Sequence, residues 1–158
     1  MLKVGIGYDV HRLIPNRLLI LGGVKIPFDK GLDGHSDADV VVHAISDALL
    51  GAVALGDIGY YFPDTDQKNK DLDSFIILKK VLQIVSDEGY IPNNFDVVIH
   101  AEKPKISPYV QDIRKKLAEV LIVDISGIGV KATTTEGLGF IGREEGIAAQ
   151  AICTVIKK

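Results

Sequence analysis

From Gly146 to Ile156 the chain reads G-I-A-A-Q-A-I-C-T-V-I, small and apolar at nearly every position. Side chains alternate faces along a strand, so a strand of this kind offers little to water on either side. The sheet that contains it must be covered twice. The remaining elements supply one of those covers. Leu2 to Arg12 reads as a strand, and Leu18 to Ile26 as a hairpin folded at Gly22-Gly23. Val41, Ile45, Ala48, Ala52 and Leu55 recur at helical spacing, which predicts a helix from Asp37 to about Leu55, capped by Ser36 with Asp39 and stopped by Gly56. Gly56 to Asp73 is rich in turn formers and reads as a loop long enough to be functional. A second helix is expected from about Ser74 to Glu88, a strand at Phe95 to Ala101 and a third helix from about Pro108 to Val123. Strands at Gly129 to Thr135 and Gly146 to Val155 close the chain. This order predicts an α+β fold, one domain over residues 1–158: a two-layer sandwich of a mixed β-sheet with helices on one face. The bare face predicts association with further copies.

A chain of 158 residues can bury a core without disulfides or a structural metal. With 47% hydrophobic and 25% charged residues it is neither disordered nor fibrous. No apolar run approaches the ~18 residues of a membrane helix, and the N-terminus enters a strand pattern without a targeting segment, so a soluble, cytoplasmic protein is expected. The net charge of −3 and scattered Lys and Arg argue against a nucleic-acid partner. Cys153 is the single cysteine and reads as a small core residue, so any metal must be held by histidines and carboxylates.

Four histidines are present: His11, His35, His43 and His100. On an extended strand Asp9 and His11 share a face, and on the first helix Asp39, His43 and Asp47 share one by four-residue spacing. If strand and helix pack together, Asp9, His11 and His43 make a two-imidazole, one-carboxylate set suited to Zn²⁺ with one position open, and Asp47 could orient His43. A solvated charged helix face is the alternative. At Val130 to Arg143 the run V-K-A-T-T-T-E-G-L-G-F-I-G-R offers hydroxyls, backbone N–H groups and the Glu136 carboxylate, an inventory for phosphate and Mg²⁺. A Thr-rich strand ending in an ordinary turn reads equally well. The acidic G-D-I-G-Y-Y-F-P-D-T-D at Gly56 to Asp66 could accept hydrogen bonds from sugar hydroxyls or simply be solvated.

Taken in order, D-V-H at Asp9 to His11, H-S-D-A-D-V-V-V-H at His35 to His43, G-D-I-G-Y-Y-F-P-D-T-D, A-E-K-P-K at Ala101 to Lys105 and V-K-A-T-T-T-E-G-L-G-F span nearly the whole chain. In these motifs the chain resembles the 2-C-methyl-D-erythritol 2,4-cyclodiphosphate synthase family. The resemblance implies a lyase of the non-mevalonate isoprenoid pathway. Its reaction turns 4-diphosphocytidyl-2-C-methyl-D-erythritol 2-phosphate into the cyclic diphosphate and CMP, by attack of the substrate's own phosphate. A non-catalytic metal- or isoprenoid-diphosphate-binding trimer and a zinc-dependent nucleotide hydrolase are the competing readings.

The resemblance further implies Zn²⁺ on Asp9, His11 and His43, Mg²⁺ or Mn²⁺ on Glu136, and transition-state stabilisation by His35 and Thr134. Substrate contacts are implied at Asp9, Val10, His11, His35, Ser36 and His43; at Asp57, Ile58, Gly59, Phe62, Pro63, Asp64, Thr65 and Asp66; and at Thr134, Thr135 and Glu136. Ala101, Glu102, Lys103, Pro104, Lys105, Ile106, Ser107 and Thr133 are the implied cytidine pocket. A homotrimer with sites between subunits is implied as well, with Phe140 and Arg143 lining a cavity on the three-fold axis where an isoprenoid diphosphate can bind. The chain carries Gly137 where the family often has Lys, and Ile106-Ser107 in place of a larger apolar pair.

Overall fold

The computed structural model describes residues 1–70 and 72–158; residue 71, inside the expected Gly56–Asp73 loop, lies outside the described residues. The first strand, β1 (Leu2–Pro15), is followed by β2 (Leu19–Leu21), β3 (Val24–Ile26) and β4 (Lys30–Leu32). Two helices come next, α1 (Val40–Ala52) and the single turn α2 (Ile58–Tyr61), then α3 (Ser74–Asp87) and β5 (Tyr90–His100). The chain closes with α4 (Val110–Leu121), β6 (Ile128–Thr133), the single turn α5 (Gly139–Gly142) and β7 (Gly146–Lys157). Five strands form one sheet in the order β4-β1-β7-β5-β6, while β2 and β3 pair separately. The C-terminal strand is thus the middle of the sheet. It runs antiparallel to both neighbours, β5 and β6 are parallel, and the sheet is mixed as the sequence predicts.

The strands expected from periodicity are present, with longer β1 and β5. The hairpin turns at Gly22-Gly23 with φ of 57° and 76°, the left-handed pair that a two-residue hairpin turn requires. Among the short elements not foreseen are β4, α2 and α5. None is long enough to develop a period, and each is fixed by what it packs against rather than by its own pattern.

α1 is buried on nearly every side, from Val40 through Ala52 apart from Asp47 and Gly51. A helix that is apolar all round belongs inside, and α1 lies against β1 and β7 on one side and α3 on the other. Its contact with β1 is made through backbone. A Cβ added at Gly5 would sit 1.8 Å from the Ala48 carbonyl oxygen, and one at Gly7 would sit 2.0 Å from that of Ala44. Only glycine permits this approach at those two positions. Across the ladder, Gly5 pairs with Cys153 and Gly7 with Ala151, both fully buried on the same helix-facing side. Burial raises the Cys153 thiol to about 12, which leaves it an inert core group.

The other face is open within the chain. Leu2, Val4, Ile6, Tyr8 and Val10 of β1 and Ile152 of β7 project from it, with Ile6 60% and Ile152 48% exposed. β7 is therefore covered on one face by this chain, and on its second face Ile152 stands exposed between Gln150 and Thr154.

Candidate metal centre and active site

Odd-numbered residues of β1 face the helix layer, so the same alternation that brings Gly5 and Gly7 under α1 points Asp9 and His11 toward His43. His43 Nδ1 lies 3.0 Å and His11 Nε2 3.1 Å from Asp9 Oδ2, and the imidazole centroids are 5.7 Å apart. One nitrogen from each ring and a carboxylate oxygen fall within 4.8 Å of one another. The convergence expected from strand and helix periodicity is met. Each ring also has a partner on its outer nitrogen. His11 Nδ1 is 2.6 Å from the Asp33 carbonyl, which can only accept, so Nδ1 carries a hydrogen, and Nε2, which donates to Asp9 in the protonated ring, is the nitrogen left to ligate a metal. His43 Nε2 is 3.0 Å from Ser74 Oγ. Two inward-facing imidazoles and a carboxylate form a donor set that could hold a divalent metal ion.

The electrostatics agree with that use. Burial alone would raise the Asp9 pKa, but the hydrogen bonds to His11 and His43 outweigh it and hold the carboxyl below its ordinary 3.8. Burial would likewise lower that of His11, and the bond to Asp9 overcomes it, raising the imidazole above 6.5. Without metal, Asp9 adds stability that is lost as pH falls through its lowered pKa. His11 adds stability present below 6.5 and lost as pH rises through its raised pKa. A metal must displace the His11 proton, so we expect metal occupancy to fall as pH drops through the raised His11 value. Metal content of dialysed protein across a pH series checks this, and occupancy unchanged into acid would contradict it.

The centre opens onto a cavity of about 220 Å³ lined also by Gly34, His35, Ser36, Ile58, Gly59, Phe62, Asp64 and Asn69. Arg17, which sequence reasoning missed, donates from Nη2 to the carbonyls of Gly34 and Ser36 and so holds the loop that carries His35. Asp57 caps α2 by accepting from Tyr60 N at 3.0 Å, and Asp66 accepts from Lys68 N while the Pro63 carbonyl accepts from Asn69 Nδ2. Pro63, Thr65 and Asp66 are exposed on this loop. Val10 projects from the opposite face of β1, leaving its backbone as the part nearest the centre.

Two assignments of local geometry are corrected. The N-cap of α1 is Asp39, not Ser36: its fully buried carboxylate accepts from Val41 N and Val42 N and also from Gly22 N and Gly23 N. It fastens the hairpin turn to the start of the helix that carries His43. Its pKa is pushed up to about 6, chiefly by burial against the opposing effect of those N–H groups. Asp47 does not orient His43. It accepts from Ile58 N at 2.8 Å, anchoring α2.

Ala101 to Ser107 and Ala132 to Thr134 line a second cavity of about 440 Å³. Glu102 is among the lining residues, and its Oε1 accepts from Gly137 N at 3.0 Å, tying residue 102 to the turn after Thr135. Thr134 Oγ1 accepts from Glu136 N, and Thr135 Oγ1 donates to the Leu138 carbonyl. Glu136 is exposed and stands apart from the Asp9-His11-His43 group. Phe140 and Arg143 sit on and just after α5, with the Arg143 guanidinium paired to Glu145 at 3.0 Å. One row of the ladder joins the two cavities through Val10, Ala148, His100 and Thr133. They lie at the same end of the sheet, three strand spacings or roughly 14 Å apart, and share no lining residue.

Fold and site together define an α+β protein with an Asp-His-His group able to hold a metal at one cavity and a second cavity at the same end of the sheet. The chain belongs to the YgbB family, whose model matches residues 2–156. It is 59% identical over 155 residues to the 2-C-methyl-D-erythritol 2,4-cyclodiphosphate synthase of Clostridium acetobutylicum, covering 98% of this chain and all of that protein. The enzyme of the same name from Bacillus subtilis is 56% identical over 157 residues, 99% of each chain. Among solved structures, a CDP-bound 2C-methyl-D-erythritol-2,4-cyclodiphosphate synthase superposes with a TM-score of 0.90 at 33% identity, over 98% of this chain and 100% of that one. The bifunctional IspDF of Campylobacter jejuni superposes with a TM-score of 0.96 at 42% identity; this chain spans 43% of its length.

Proposed function

We propose that residues 1–158 form a single catalytic domain, a cytoplasmic lyase of the non-mevalonate isoprenoid pathway. It converts 4-diphosphocytidyl-2-C-methyl-D-erythritol 2-phosphate to 2-C-methyl-D-erythritol 2,4-cyclodiphosphate and CMP. The observation that carries this reading is the convergence of Asp9, His11 and His43 within 4.8 Å beside a cavity, in a chain that matches synthases of that name over nearly its full length. Because the nucleophile is the substrate's own 2-phosphate, the chain needs no covalent nucleophile and has to position charged groups and balance their charge.

Asp9, His11 and His43 are the residues to hold Zn²⁺, and Glu136 offers a carboxylate to Mg²⁺ or Mn²⁺ on the diphosphate. When bound, such cations supply Lewis acidity toward phosphate oxygens. His35, exposed at the rim of the metal cavity, and Thr134, at the mouth of the second pocket, donate to oxygens on which charge builds. Asp57, Ile58, Gly59 and the 62–66 loop meet the erythritol hydroxyls. Residues 101–107 with Thr133 enclose the cytidine, and Lys105 offsets phosphate charge. A homotrimer in which one copy's nucleotide pocket meets its neighbour's metal cavity is supported by the separation of the two cavities and by the open apolar face of β1 and β7. Phe140 and Arg143 then face the three-fold axis, where an isoprenoid diphosphate could bind.

Phosphorus NMR of the reaction tests the proposal. One cyclic diphosphate and CMP in equal amounts is the expected result. A linear erythritol carrying two separate phosphates would mark a hydrolase, and no turnover would mark a binding protein.

A further inference from the structure

We propose that Ser74 and Asp37 are positioning residues for the metal centre, forming a buried relay that fixes the ring of His43. The proposal rests on the reading of His43 as a metal ligand. Ser74 is the first residue of α3 and has no exposed surface. Its hydroxyl is not needed to cap the helix, since Asp73 does that by accepting from Phe75 N at 2.7 Å. Instead Ser74 Oγ touches two groups from a distant part of the chain, the Nε2 of His43 at 3.0 Å and the Oδ1 of Asp37. The backbone N–H of Ser74 donates to the other oxygen of Asp37 at 3.4 Å.

The chemistry of the three groups dictates the direction of the relay. A carboxylate only accepts, so the single Ser74 hydrogen goes to Asp37. The hydroxyl oxygen is then left with lone pairs alone to offer His43. Nε2 must therefore carry a hydrogen, which leaves Nδ1, 3.0 Å from Asp9, as the nitrogen that can ligate a metal. His11 reaches the same state through the Asp33 carbonyl with its nitrogens reversed, so that Nε2 faces inward. Both rings are thereby held with a donated hydrogen on the outer nitrogen and the inner nitrogen turned to where a metal would sit. The relay also ties the start of α3, immediately after the loop that lines the cavity, to the helix that carries His43.

The test compares the full-length parent with Ser74→Ala and Asp37→Asn, using zinc as probe. Zinc affinity is measured by chelator competition, and the His43 Nε2–H resonance is followed by NMR in zinc-loaded, nitrogen-15-histidine-labelled protein. Ser74→Ala removes one oxygen from a buried site. Asp37→Asn keeps an oxygen for the backbone but can donate to Ser74 and reverse the relay. We expect zinc binding to weaken ~10- to 100-fold in Ser74→Ala and by at least ~10-fold in Asp37→Asn. The Nε2–H resonance should move upfield and exchange faster with water in both. Affinity within twofold of the parent and an unmoved resonance in either variant would overturn the relay while leaving the metal assignment in place. A parent that binds no zinc would overturn both.

Discussion

His43→Ala is expected to lose bound metal and to lower turnover at least ~10³-fold, with the fold retained. His43 supplies the helix-borne member of the Asp9-His11-His43 group, and two remaining donors on one strand do not enclose an ion. Loss of a Lewis acid at a phosphate is worth several kcal/mol of barrier, which is the origin of the ~10³. The ring is only 8% exposed, so its removal also leaves Ser74 Oγ short of a partner, at a cost of ~1–3 kcal/mol that a domain of this size can bear. Metal content after dialysis, circular dichroism and turnover together check the result. One zinc per chain retained by the variant would refute the ligand assignment.

Gly7→Ala is expected to cost ~3 kcal/mol or more and ~6–12 °C in Tm. The added methyl would meet the Ala44 carbonyl oxygen at 2.0 Å and the Ala48 nitrogen at 2.8 Å, atoms of a helix backbone that cannot rotate aside. α1 must lift from β1, carrying His43 away from Asp9, so metal affinity should fall together with stability. Gly51→Ala on the same helix is the control, because the nearest atom to its added Cβ is the Ile6 carbonyl oxygen at 3.7 Å. There alanine is expected to be neutral or to stabilise by ~0.5–1 kcal/mol. Thermal melts of both variants distinguish a general intolerance of α1 from the specific contact at Gly7; equal melting of parent and Gly7→Ala would refute the close-packing account.

What the sequence conveyed about the centre it conveyed through periods. Asp9 and His11 share a face because strands alternate, and His43 faces inward because α1 has only one side that meets β1. The roles that stayed hidden depend on contacts between distant parts of the chain. Nothing in the residues around Ser74 signals a partner at His43, thirty-one positions away. Asp39 looks like the third residue of a helix capped by Ser36 until the hairpin turn at Gly22-Gly23 supplies two more donors to its carboxylate. Asp47 has the right spacing from His43, yet Ile58 N takes its oxygen. The separation of the two cavities follows from strand order, which periodicity does not encode: β1 and β6 are placed apart only because β7 and β5 come between them.

The close seating of α1 on β1 has a bearing on how this molecule can change over time. The spacing between strand and helix is set at Gly5 and Gly7 by carbonyl oxygens, atoms that every residue type possesses. Substitutions among the interior side chains of α1, α3 or β5 can therefore alter the volume and fit of the core while the distance from Asp9 to His43 stays put. Ligand geometry is uncoupled from drift in the interior, and sensitivity to replacement concentrates on two small residues that carry no chemistry of their own.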